Sequence, residues 1–156
     1  MRVILKNVEE TEALGALLLQ ALPDRCLVFL HGQLGAGKTS LVRGLLRAAG
    51  YEATVRSPTY SLVEEYRLPQ KSIFHFDLYR LKDPEELEWM GMSDYLSDKA
   101  LCLIEWPEMG EGFLPKANVE IFLNIVGEGR VLEIKVLNPE LKNSLEVLFK
   151  NNNILL

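Results

Sequence analysis

The residues with the clearest chemical capacity form the run Gly32-Gln33-Leu34-Gly35-Ala36-Gly37-Lys38-Thr39. It fits the pattern G-x-x-x-x-G-K-[ST] at every fixed position. Glycines let such a loop curl its backbone N–H groups around a phosphate, because no Cβ atoms obstruct the approach. The Lys38 ammonium would neutralise β- and γ-phosphate oxygens, and the Thr39 hydroxyl would ligate magnesium. The run therefore predicts a phosphate-binding loop (P-loop).

The segments on either side of this loop have the character that phosphate binding requires. Residues 26–30 read Cys-Leu-Val-Phe-Leu, a continuous apolar run typical of a strand covered on both faces in a mostly parallel sheet. From Lys38 onward, apolar residues repeat at helical spacing until Gly50, a predicted C′ glycine. The order strand, loop, helix predicts that a helix N-terminus adds its positive potential at the phosphate.

Two acidic residues could hold a metal ion or act on water opposite the loop. Asp77 lies on the β-like run 72–79, and Glu105 follows the apolar run 100–104. An acid at the carboxyl end of a buried parallel strand faces the crevice where open α/β sheets bind ligands. The run before Glu105 is fully apolar and so is more typical of a buried parallel strand, but the residues alone leave both acids as candidates. The alternative for each is an ordinary strand-end carboxylate on the surface.

A polar segment, Arg56-Ser57-Pro58-Thr59, lies where P-loop proteins often carry a loop that senses the γ-phosphate. By itself, a Ser-Pro-Thr sequence is typical of a turn. Both interpretations stay open on the residues alone.

Weaker patterns predict the elements that position these groups. Asn7 precedes Glu10 at the spacing of a helix cap, and an amphipathic helix follows it. Trp89 and Met90 lie on a predicted short helix and are expected in the core. The remaining predicted elements are an antiparallel hairpin of runs 60–67 and 72–79, a short helix from Asp83-Pro84 to about Met90, a second hairpin of runs 118–126 and 130–137, and a C-terminal helix from Pro139 to about Lys150.

Composition predicts one domain over residues 1–150, with residues 151–156 as a short tail. The 156-residue chain is 48% apolar and 25% charged, which is typical of a globular protein. It has no apolar run near the roughly 18 residues that span a membrane, and no export signal, so we expect a cytoplasmic protein without a membrane partner. Cys26 and Cys102 lie in apolar runs and are predicted to be buried thiols. The net charge of −5 argues against strong tRNA binding by the isolated chain.

Four ordered motifs over about residues 8–132 resemble the TsaE family, bacterial ATPases required for tRNA threonylcarbamoyladenosine formation. This conjunction is far more specific than the glycine loop alone. Besides that loop, the motifs are Ser57-Pro58-Thr59-Tyr60, His75-Phe76-Asp77-Leu78-Tyr79-Arg80-Leu81, and Asp83-Pro84-Glu85-Glu86-Leu87 together with Ile104-Glu105-Trp106-Pro107.

The resemblance implies an α/β fold, a P-loop NTPase with a central mostly parallel sheet, flanked by antiparallel strands and covered by helices. It implies ATP and magnesium as cofactors. It also implies TsaD and TsaB as protein partners, which carry the threonylcarbamoyl transfer, while ATP hydrolysis by the TsaE protein allows repeated turnover.

The resemblance also implies roles for individual residues. Asp77, Lys38 and Glu105 would be catalytic, with Asp77 acting on the hydrolytic water. Thr39 and Glu105 would hold the metal. The implied ATP contacts are Thr11, Gly35, Ala36, Gly37, Lys38, Thr39, Ser40, Thr59 and Arg130.

Two of these assignments have equally good alternatives, and one position departs from the family pattern. Thr11 could bond its own helix backbone, and Arg130 could be a solvated hairpin charge. Gln33 stands where the family usually has Asp after the first glycine. That difference leaves the fixed positions of the loop intact, but it puts in doubt any role for an acid there.

Two other function classes compete with an accessory ATPase. A GTPase needs Asp-x-x-Gly after the strand that carries the metal ligand, and an Asn-Lys-x-Asp motif that recognises guanine. Here Asp77 is followed by Leu-Tyr-Arg, and the sequence contains no Asn-Lys-x-Asp motif. A small-molecule P-loop kinase usually has an arginine-bearing lid. Residues 108–115 contain no arginine, so the kinase stays as the second choice.

Overall fold

The apolar runs of the sequence pair into one seven-stranded sheet in the computed structural model, which describes residues 1–154. Strands occur in the spatial order β1-β7-β6-β2-β5-β4-β3. The strands are β1 Arg2–Leu5, β2 Cys26–His31, β3 Val63–Arg67, β4 Ser72–Asp77, β5 Leu101–Glu105, β6 Val119–Val126 and β7 Gly129–Val136. The helices are α1 Val8–Ala21, α2 Lys38–Ala48, α3 Glu86–Trp89, α4 Met92–Ser97 and α5 Pro139–Asn151, with a 3₁₀ turn at Pro107–Gly110.

The centre of the sheet is parallel and its flanks are antiparallel. Strand β2 pairs in parallel with both β5 and β6, and β4 pairs in parallel with β5. Strand β3 joins β4 antiparallel at one edge, while β7 joins β6 and β1 antiparallel at the other. The predicted α/β fold with a mostly parallel centre is therefore confirmed, as are both predicted hairpins. The parallel strands are apolar along their length because both faces of the sheet are covered.

Successive residues of the central strands pack into two separate cores. Val28 belongs to the core beneath α1, α2 and α5, whereas Leu27 belongs to the core on the α3 and α4 side. Helices α1 and α2 approach so closely at Gly44 that a Cβ there would overlap the backbone of Glu12. Glu12 also pairs with Arg43 and Arg47, at 3.0 and 2.7 Å. This contact fixes α2, and with it the loop at its N-terminus.

The cap signals in the sequence are confirmed. The Asn7 side chain accepts a hydrogen bond from the Glu10 N–H at 2.9 Å at the start of α1. Gly50 follows α2 with a φ of 98°, as expected for a C′ glycine. Cys26 and Cys102 are buried free thiols, and burial raises their pKa values to about 11 and about 12.

The expectation that Trp89 lies in the core is wrong, since 87% of its surface is exposed. Helix α3 covers only Glu86–Trp89 and presents Leu87 to the core. A residue two positions further is turned about 200° around a helix, so Trp89 faces solvent. The unpredicted helix α4 follows Gly91, whose φ of 78° breaks the helical run.

The two ends of the described chain add contacts that the patterns did not predict. Strand β1, only four residues long, pairs with β7 at the sheet edge. Helix α5 ends at Asn151, and Ile154 packs against the core that lies under α1, α2 and α5. The domain boundary at residue 150 stays a prediction, and residues 155–156 of the proposed tail lie outside the described part.

Within residues 1–154, every helix is too short or too polar to cross a lipid bilayer.

Candidate functional site

The glycine-rich run forms the connection between β2 and α2, as predicted. Gly37 is the N-cap of α2 and has a φ of 107°, and Gly35 has a φ of 77°, both in the left-handed region that side-chain-bearing residues rarely adopt. Lys38, Thr39 and Ser40 open the helix, where backbone N–H groups have no intrahelical acceptor. Together with the helix dipole, these N–H groups make an anion site at the start of α2.

A polar cleft of about 230 Å³ lies beside this loop. It brings together residues from four distant parts of the sequence: the loop with the start of α2, the segment before β3, the carboxyl end of β4, and the carboxyl end of β5. The lining residues are Leu34, Gly35, Ala36, Gly37, Lys38, Thr39, Ser40, Ser57, Thr59, Asp77, Glu105 and Trp106.

The two candidate acids are neighbours in this cleft. Asp77 ends β4 and Glu105 ends β5, and the parallel register places them directly opposite each other. Only 4% of Asp77 and 3% of Glu105 is exposed. Strand-end carboxylates on the surface would be mostly solvated, so that alternative is wrong for both residues.

Asp77 is held by the polar segment that precedes β3. The hydroxyls of Ser57 and Thr59 both donate to Asp77 Oδ2, the latter at 3.2 Å. The backbone N–H of Tyr79 donates to Asp77 Oδ1 at 2.9 Å. The Ser-Pro-Thr segment therefore reaches the cleft and is more than a surface turn.

Glu105 has different partners. Its Oε1 lies 2.8 Å from His75 Nε2 and 3.4 Å from the Thr39 hydroxyl, which donates to it. Thr39 and Glu105, the two predicted metal ligands, are thus adjacent. His75 is fully buried, and its bond to Glu105 was not predicted. The signal that could have found it is the His-x-Asp spacing on β4, which places His75 and Asp77 on one face of a strand.

Lys38 lies across the mouth of the loop. Its ammonium donates to the carbonyls of Gly32 and Gln33 at 2.5 and 3.1 Å, and lies 4.5 Å from the centre of the Trp106 ring. Burial lowers the pKa of Lys38, while the nearby carboxylates, Glu105 first among them, oppose that shift. The lysine is the cation that balances the two buried acids.

Trp106 connects the ammonium to the segment after β4. Its backbone has a φ of 57°, and its ring packs against Tyr79 with the ring centres 4.9 Å apart. A bulky residue in the left-handed region is uncommon, and such strained positions cluster at functional sites. The ring is partly buried.

Thr11 and Arg130 reach the opposite side of the loop. The Thr11 hydroxyl donates to the Asn7 carbonyl at 3.1 Å, and its methyl group lies near Gly37. Arg130 donates to the carbonyls of Ala36 and Gly35 at 2.9 and 3.1 Å. Arg130 is therefore not a freely solvated hairpin charge; both side chains lie at the loop but are bonded to backbone oxygens.

The side chains at the cleft fit magnesium, which prefers hard oxygen ligands and keeps several waters. Thr39 offers a hydroxyl, and Asp77 and Glu105 offer carboxylates, within one pocket. No group of three or more His, Cys, Asp or Glu side chains suited to a metal occurs between residues 1 and 154. Such a small donor set is typical of a magnesium ion that is held together with phosphate oxygens.

Comparison with known proteins shows the family of the chain. The family model described as "Threonylcarbamoyl adenosine biosynthesis protein TsaE" matches residues 5–131. The chain is 52% identical over 108 residues to the tRNA threonylcarbamoyladenosine biosynthesis protein TsaE of Haemophilus influenzae, covering 69% of this chain and 68% of that protein. It is 30% identical over 149 residues to the protein of the same name from Bacillus subtilis, covering 95% and 93%.

The fold has a solved counterpart. A crystal structure of Bacillus subtilis YdiB superposes with a TM-score of 0.81 at 24% identity, covering 98% of this chain and 96% of that one. The similarity of fold extends over the whole described sheet. From the family match and these relatives, the chain belongs to the TsaE family of tRNA threonylcarbamoyladenosine biosynthesis proteins.

Proposed function

We propose that this chain is a magnesium-dependent P-loop ATPase that binds ATP in the cleft beside the glycine loop. The observation that carries the proposal is the meeting of Lys38 and Thr39 with two buried carboxylates, Asp77 and Glu105, around one cavity at a helix N-terminus. A phosphate cradle alone would serve binding, whereas adjacent acids serve metal and water chemistry.

Binding begins with the loop. The N–H groups at the start of α2 donate to phosphate oxygens, and Lys38 exchanges the carbonyls of Gly32 and Gln33 for the β- and γ-phosphates. The ammonium then offsets negative charge that moves onto the leaving oxygen during hydrolysis.

Thr39 and Glu105 are the residues that hold the metal. Magnesium, when bound, neutralises and orients the phosphate oxygens. The Thr39 hydroxyl and the Glu105 carboxylate lie within 3.4 Å of each other, so one ion can be held by both.

Asp77 is the residue that acts on water. It orients a water for in-line attack on the γ-phosphorus and accepts its proton as the bond to the bridging oxygen breaks. Ser57 and Thr59 keep the Asp77 carboxylate in place, and tie it to the segment proposed to sense the γ-phosphate.

Partner proteins complete the site in this proposal. Among the arginines near the cleft, Arg43 pairs with Glu12, Arg130 bonds the loop backbone, and Arg80 stacks on Tyr60. Arg56, the exposed residue before Ser57, has no ion pair with a described residue, so no contact fixes its side chain at the cleft. A cation supplied in trans is worth a factor of about 10³–10⁵ in rate. We propose that TsaD and TsaB dock at this face in the cytoplasm, and that ATP hydrolysis resets their complex for repeated modification.

The test measures ATP hydrolysis by this chain alone, with total tRNA, and with the TsaD–TsaB pair. We expect slow hydrolysis alone, stimulation by the protein pair, and more than one round of tRNA modification per TsaD only when this chain and ATP are present. Stimulation by tRNA alone, with steeply salt-dependent tRNA binding, would make the chain an RNA-directed ATPase instead. Transfer of the γ-phosphoryl group to a small molecule in place of water would favour the kinase.

A further inference from the structure

His75 and Glu105 form a buried, hydrogen-bonded pair next to the cleft. His75 is fully buried on β4, two residues before Asp77. Its Nε2 lies 2.8 Å from Glu105 Oε1. A buried polar ring is costly unless it is hydrogen-bonded, so the bond to Glu105 explains how this position tolerates a histidine.

The role proposed for Glu105 determines which ring nitrogen carries the proton. A magnesium ligand must be an ionised carboxylate, which can only accept, so the proton of this contact then lies on Nε2. The other ring nitrogen, Nδ1, is buried and has no hydrogen-bond partner among the described residues. The bond to Glu105 is therefore the one hydrogen bond of the ring among the described residues.

This single bond constrains a flexible carboxylate. A glutamate side chain loses rotamer freedom when it is fixed, and an unfixed Glu105 would have several orientations available in the cleft. With Oε1 held by His75 and the Thr39 hydroxyl, the second oxygen, Oε2, has no hydrogen bond to any described residue. The arrangement leaves that oxygen for a ligand that the protein itself does not supply.

We propose that His75 is a positioning residue: its Nε2–H holds the Glu105 carboxylate in the orientation that receives magnesium. His75 itself touches neither nucleotide nor metal. Outer partners of this kind typically change metal affinity by about 10–100-fold when removed. The proposal rests on the proposed function of Glu105, and the experiments below separate the two.

The first experiment compares ADP affinity with and without magnesium by calorimetry, and the ratio of the two dissociation constants is the readout. For His75→Leu we expect this ratio to fall about tenfold, while magnesium-free affinity stays within about twofold of wild type. His75→Gln places an amide donor near the position of Nε2 and should keep most of the ratio. His31→Gln, which changes the other histidine and leaves Glu105 untouched, is the matched control.

A double-mutant cycle identifies the residue through which His75 acts. In the Glu105→Gln background, His75→Leu should cause no further change in the ratio, because the group it positions no longer carries its charge. An unchanged ratio in His75→Leu overturns the proposal. So does an equal loss in both backgrounds, since His75 would then act through the general structure of the sheet.

The second experiment uses the wild-type protein and does not depend on any variant folding or on magnesium binding. Long-range ¹H–¹⁵N NMR spectra of the two histidine rings, assigned with His31→Gln, report which nitrogen of His75 is protonated. We expect a proton on Nε2; a ring without one overturns the proposal. If wild type binds ADP equally with and without magnesium, the metal role of Glu105 fails, while the NMR result still decides whether His75 donates to it.

Discussion

On one side of the glycine loop, buried carboxylates are held by side-chain donors, whereas on the other side a charged and a polar side chain bond to backbone carbonyls of the loop and of the start of α1. We call the first the carboxylate side, made of Asp77, Glu105 and the residues that donate to them. We call the second the hairpin side, made of Thr11 and Arg130.

The carboxylate side can act on a bound ligand, whereas the hairpin side supports the structure around the loop. Asp77 and Glu105 accept hydrogen bonds yet line the cleft, so they can act on a bound ligand. Arg130 donates hydrogen bonds to the carbonyls of Gly35 and Ala36, so it mainly stabilises the conformation of the loop. We therefore expect substitutions on the carboxylate side to change turnover and metal dependence, and substitutions on the hairpin side to change stability and, at Arg130, ATP affinity.

Lys38 lies between the two sides, and its removal should have the largest effect. Lys38→Ala deletes the cation that faces the phosphates, and charged hydrogen bonds of this kind are worth about 1.5–3 kcal/mol each, so we expect ATP affinity to fall by about 100-fold. Thr39→Ala should weaken binding only when magnesium is present. Calorimetry with and without magnesium measures both effects, with the exposed Lys99→Ala as control; equal ATP affinity in wild type and Lys38→Ala would refute the phosphate-binding assignment.

The two acids of the carboxylate side should have different roles. Asp77→Asn should bind magnesium and ATP nearly as wild type does, but lose about 10²–10⁴-fold in kcat, because proton transfer from water is removed. Glu105→Gln should instead shift the magnesium dependence of binding, a shift that EDTA abolishes. Steady-state rates and binding titrations over a range of magnesium concentrations check this, and identical magnesium profiles for the two variants would show that the acids share one role.

Arg130 sharpens the comparison from the hairpin side. Arg130→Ala removes hydrogen bonds to two loop carbonyls, so we expect the free energy of unfolding to fall by about 1–2 kcal/mol. ATP affinity should fall several-fold, while kcat at saturating ATP should change little. Arg130→Lys should resemble Arg130→Ala, because a single ammonium cannot span both carbonyls. If the lysine variant keeps wild-type affinity and only the alanine variant loses it, Arg130 acts as a charge on ATP, as the family resemblance implied.

Thr11 should give the smallest effect. Thr11→Val keeps the methyl group near Gly37 and removes only the hydrogen bond to the Asn7 carbonyl, so we expect Tm to fall by about 2–4 °C. ATP affinity should stay within about twofold of wild type, since one local bond at the helix start is lost. Thermal unfolding with and without ATP is the measurement; a loss of affinity without a loss of Tm would place the hydroxyl on the nucleotide.

Several parts of this protein could be predicted because their sequence signals are local. The apolar run before the loop, the glycines and the helical repeat after Lys38 lie within one short stretch, so strand, loop and helix could be predicted together. Caps such as Asn7 and Gly50 depend on neighbours a few residues away, and they were predicted for the same reason. Trp89 was misplaced because the short helix α3 has too few turns to show which face is buried.

Contacts between distant residues could not be predicted, because they depend on how the strands pair and pack. The alignment of Asp77 with Glu105 depends on the register of β4 against β5, and a register shift of one residue would turn the side chains of β4 to the other face. The bond from His75 to Glu105 follows from that register, and the contact of Arg130 with Ala36 follows from how the β6–β7 hairpin lies beside the loop. Local sequence does not encode these distances, because they are set by how separate strands pack.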